Sequence, residues 1–135
     1  MNIFQKSVVV AIVTFILDFT FHYFMTNPME TMTYFVLKFF LSFFVAAGFF
    51  SLNKFNMYPE KRIFFAAIAG LIFSTLMSVY YRAWELGEAG VPFGSRAPDI
   101  FGIVRSSIMF PAVWWLGHAS FFFVGVIVAM KLSKK

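Results

Sequence analysis

"FQKSVVVAIVTFILDFTFHYFM", residues 4–25, decides how the chain is read. It is almost wholly apolar, with one lysine near its start and one aspartate near its end. At 1.5 Å per residue a helix of this length reaches about 33 Å, enough for a hydrocarbon core of about 30 Å. Lys6 ahead of an apolar run would also suit a secretion signal, but bulky "FTFHYF" stands where a small-residue cleavage site would be needed. The segment is therefore expected to stay in place as a membrane span.

The rest of the chain agrees with lipid as the solvent. Of 135 residues, 61% are hydrophobic, 22 are phenylalanine and only 13% are charged, and the mean hydropathy is +0.81. A water-soluble domain carries about a quarter charged residues. Three further segments qualify as spans: about 33–53, 63–81 and 108–130. "TNPMET" separates the first two, "NKFNMYPEKR" the second and third. The expected fold is an all-α integral membrane protein, a four-transmembrane-helix bundle forming one domain over residues 1–135.

Orientation follows from the basic residues. Lys6, Lys54, Lys61, Arg62, Lys131, Lys134 and Lys135 fall on one side of a four-span threading, and Arg82, Arg96 and Arg105 on the other. Loops rich in Lys and Arg stay in the cytoplasm, so both termini are expected there, in a cell (plasma or inner) membrane. The long outer connection, residues 82–107, is glycine-rich in its first half. In its second half Pro98 and Asp99 resemble a helix start, and Ile100, Phe101, Ile103 and Val104 share a face. This predicts a short interfacial helix before the fourth span, with a plain loop as the alternative.

Several function classes drop out. Without cysteine there are no disulfides, thiolate metal sites or cysteine nucleophiles. The net charge of +5 sits at span ends rather than in a stripe, which suits topology and anionic headgroups rather than nucleic acid. No metalloprotease, nucleophile-elbow or phosphate-loop motif is present. The reading leans away from an enzyme.

Two features remain. Ala66, Gly70, Ser74 and Ser78 recur every four residues along the third span, a small-residue stripe that lets another helix backbone approach closely. It either closes the bundle or meets another subunit. The second feature is a polar cluster in the outer half: Asp18, His22, Lys38, Tyr81, Arg82 and His118. Asp18 and Lys38 lie at similar depth on consecutive spans and are expected to pair, since an unpaired charge at a span centre costs about 2.5–3.5 kcal/mol. The alternative has Lys38 snorkelling outward. His22, four residues after Asp18, shares its helix face. The tryptophans Trp84, Trp114 and Trp115 read as interfacial anchors.

Three chemistries fit this cluster. It can act as structural glue in a non-catalytic subunit of a larger membrane assembly or homo-oligomer. Asp18, His22 and Lys38 can instead serve a small oligomeric transporter or channel. In the third, His22 and His118 ligate haem, or Asp18, His22 and His118 hold a divalent metal. The first is the leading expectation, with no cofactor and with the lipid bilayer and other membrane chains as partners.

Overall fold

The computed structural model describes residues 1–25, 32–52, 59–88 and 112–134. These form four helices: α1 (Ile3–Met25), α2 (Met32–Leu52), α3 (Pro59–Glu88) and α4 (Ala112–Ser133). All four are long and apolar enough to cross a membrane. The chain is thus a multi-pass, all-helical membrane protein.

Local chemistry explains the ends. Asn2 caps α1 by accepting the Gln5 N–H at 2.8 Å, while the Gln5 side chain accepts the Asn2 N–H at 3.1 Å, a reciprocal arrangement that satisfies two otherwise orphaned donors. Pro59 opens α3 at the position where a missing N–H costs least. Within the helices, hydroxyls fold back onto the preceding turn: Ser7 on Ile3, Thr20 on Ile16, Thr75 on Leu71 and Ser120 on Leu116, at 2.7–2.8 Å. Lipid offers no water to bond them, so the backbone does.

α3 departs from the expected span. It begins at Pro59 and continues to Glu88, so the first part of the connection expected to be irregular, residues 82–88, is helical. Ala83, Trp84, Glu85 and Leu86 all tolerate helix, and Gly87 alone costs only about 1 kcal/mol. Thirty residues span about 45 Å, so α3 projects beyond a 30 Å core. The expected interfacial helix lies outside the described residues.

Around the bundle, α1 packs between α2 and α4, α4 packs between α1 and α3, and the α2–α3 pairing is the loosest of the four neighbouring ones. α1 runs antiparallel to α2, with Phe4 against Phe43 and Phe15 against Phe35; α3 runs antiparallel to α4, with Gly70 at Ala119 and Ser74 at Trp115; and α1 runs antiparallel to α4, with Val10 at Gly125 and Asp18 at His118. The core joins Val10, Ala46, Phe50, Phe73, Met77 and Phe122. Phe73 and Phe122 stack with centroids 5.3 Å apart. The outer faces carry Phe4, Ile16, Phe40, Phe44, Phe64 and Ile72, all exposed. Such a continuous apolar exterior would aggregate in water and is what lipid requires.

The small-residue stripe faces α4. Ala66, Gly70, Ser74 and Ser78 are all buried. A Cβ at Gly70 would stand 2.7 Å from the Ala119 carbonyl oxygen, so only glycine permits this approach. Ser74 Oγ donates to the Trp115 carbonyl oxygen, and the Trp115 indole N–H donates to Thr75 Oγ1 at 3.0 Å. Trp115 is therefore a clasp between α3 and α4. Ser74→Ala should lower stability by about 0.6 kcal/mol, the average for interhelical hydrogen bonds in lipid, with about 1.7 kcal/mol as the upper limit. Equilibrium unfolding in mixed micelles measures it; an unchanged midpoint would count against the clasp.

Candidate functional site

One polar level crosses the bundle. Asp18 lies seven residues before the end of α1, and Lys38 and His118 lie six residues after the starts of α2 and α4. Antiparallel packing turns those intervals into a common depth of about 9–10 Å from the helix ends. All three side chains are buried, at 1%, 1% and 2% exposure, so Lys38 does not snorkel.

Lys38 Nζ donates to Asp18 Oδ2, giving the pair expected from matching depth. Its ammonium also lies 5.5 Å from the Phe35 ring centroid, within cation–π range. The second carboxylate oxygen, Oδ1, has His118 Nε2 at 3.1 Å. That contact is within hydrogen-bonding distance, but it lacks hydrogen-bond alignment. Asp18 thus ties α1 to α2 through one oxygen and to α4 through the other.

The sequence had placed His22 beside Asp18 and left His118 as a more distant member. The structure brings His118, from the far end of the chain, onto the carboxylate. His22 belongs to α1, and Tyr81 and Arg82 to α3, while their side chains lie outside the described residues. The metal set of Asp18, His22 and His118 is therefore described for two members only. Among the described residues no three acidic or histidine side chains gather as a metal site, and the ammonium of Lys38 occupies one carboxylate oxygen. A cation there would compete with that charge.

Buried hydroxyls continue the polar line away from this centre only sparsely. Ser42 Oγ turns back to the Phe39 carbonyl at 2.9 Å. Thr14, one turn deeper than Asp18, is buried beside Gly125. Chemically the centre is a carboxylate paired with an ammonium through one oxygen, with an imidazole beside the other. Compared with family models, with curated proteins and with solved structures, the chain matches none.

Proposed function

We propose that this protein is a non-catalytic membrane subunit, a compact four-helix scaffold that associates with other membrane chains or with itself. The observation that carries the reading is how the ionisable groups are used. Asp18 meets Lys38 through one carboxylate oxygen and His118 through the other, so three ionisable side chains are spent in tying three helices together. Such a centre fixes helix register, because a slip by one residue would leave two charges unpaired in lipid. With the basic end in the cytoplasm, both termini face inward in a cell membrane. The exposed phenylalanine-rich faces then meet lipid or partner helices. Native mass spectrometry on protein extracted gently from its membrane tests this: the expected mass includes further protein chains. A lone protomer at every extraction condition would contradict the subunit reading.

A second reading draws on one feature, the imidazole of His118 on the carboxylate. A proton held by His118 and passed along an oligomer would make the centre part of a proton pathway. That reading requires the wild-type protein to carry protons across liposomes and His118→Gln to abolish the flux. A tight wild-type vesicle would sink it.

A further inference from the structure

At the end of the bundle away from the charged centre, the helices part around a cavity of about 660 Å³. This lies within the size range of small-molecule sites. Its walls come from all four helices: Ile3 and Lys6 of α1, Phe49 and Phe50 of α2, Arg62 of α3 and Met130 of α4. Each of these residues lies close to the same end of its span, so the cavity sits where hydrocarbon gives way to headgroups.

Three observations define what would fill it. Arg62 lines the cavity, and its Nε is buried with no hydrogen-bond partner among the described residues. The planar guanidinium fork matches the oxygens of a phosphate. Lys6 supplies a second cation, its Nζ 5.4 Å from the Phe50 ring centroid, while Phe49, Phe50, Ile3 and Met130 supply an apolar wall. Charge is also strongly asymmetric along the sequence. The segments at this end carry seven Lys and Arg against one acid, Glu60. Those at the other end carry three against four: Glu30, Glu85, Glu88 and Asp99.

We propose that this cavity binds the phosphate headgroup of one anionic phospholipid. Arg62 and Lys6 hold the phosphate, and the Phe49–Phe50 wall covers the first acyl methylenes. A soluble phosphate would satisfy the cations but leave the apolar wall in contact with water. A lipid satisfies both, because its charge and hydrocarbon meet at this depth.

The test is native mass spectrometry of the full chain in detergent, titrated with phosphatidylglycerol or with phosphatidylcholine. One phosphatidylglycerol per protomer is expected to remain bound, in preference to phosphatidylcholine. Arg62→Gln and Lys6→Gln should each weaken retention roughly five-fold, the scale of one basic residue at an anionic headgroup. Lys134→Gln, at an exposed position outside the cavity, should not weaken it. Circular dichroism confirms that each variant keeps its helices; Arg62→Lys supplies a charge-preserving alternative that should lose less than Arg62→Gln. Equal retention of the two lipids, or equal retention by wild type and both glutamine variants, would overturn the proposal. Displacement of the lipid by millimolar inorganic phosphate would overturn it too, assigning the cations to a soluble anion.

Discussion

Asp18→Leu is expected to destabilise the bundle by about 3–5 kcal/mol, the cost of breaking a buried ion pair by removing one partner. The loss comes less from the missing attraction than from what remains, a Lys38 ammonium buried at 1% exposure with its counter-ion gone. His118 loses its contact at the same time. Adding Lys38→Met should restore most of the stability, since a buried pair replaced by apolar groups of similar volume is often neutral. The two changes should therefore be strongly non-additive, by about 0.5–3 kcal/mol. Equilibrium unfolding of the wild type, both single variants and the double variant in mixed micelles measures the cycle. Additive losses would mean that the two charges act independently.

Gly70→Ala is the second large effect. The added methyl would meet the Ala119 carbonyl oxygen at 2.7 Å. That atom is backbone, so it cannot swing aside; α3 and α4 must separate instead. Separation also stretches the Ser74–Trp115 hydrogen bond and the Phe73–Phe122 stack. A net cost of about 1–3 kcal/mol is expected, as for other overpacked contacts. Gly48→Ala and Gly117→Ala are matched controls, because nothing lies within 4 Å of a Cβ at either position. Relief of glycine's backbone entropy should stabilise those two by up to about 1 kcal/mol. Thermal denaturation of all three separates crowding from helix propensity. A neutral Gly70→Ala would show that the two helices have slack between them.

Much of this was legible in the sequence because lipid imposes simple rules. Four apolar runs of span length predict four helices, since every backbone polar group must bond internally. Asp18 and Lys38 could be paired from depth alone, as a short connection makes their helices neighbours. Other features needed the fold. His118 is 100 positions from Asp18 in sequence, and only the packing of α4 against α1 brings it onto the carboxylate. The stripe on α3 showed a close contact, yet periodicity could not say whether its partner lay inside the chain; Gly70 against Ala119 answers that for this face. The end of α3 was missed because glycine was weighted as a breaker, whereas a helix thirty residues long carries one glycine near its end at little cost. The cavity beside Arg62 had no local signature. It arises where four helix ends meet, and no single segment contains it.

The central claim is that Asp18 and Lys38 form a charged, water-excluded pair inside the membrane. It is tested most directly by nitrogen NMR of protein labelled with 15N at the lysine side chains and reconstituted in lipid bilayers. One lysine resonance should show a protonated ammonium whose hydrogens exchange slowly with water, and Lys38→Met should remove that resonance. In Asp18→Leu its shift or exchange should change sharply, while the other lysines stay as they were. A Lys38 signal that exchanges as fast as the surface lysines, or one indifferent to the loss of Asp18, would contradict the account.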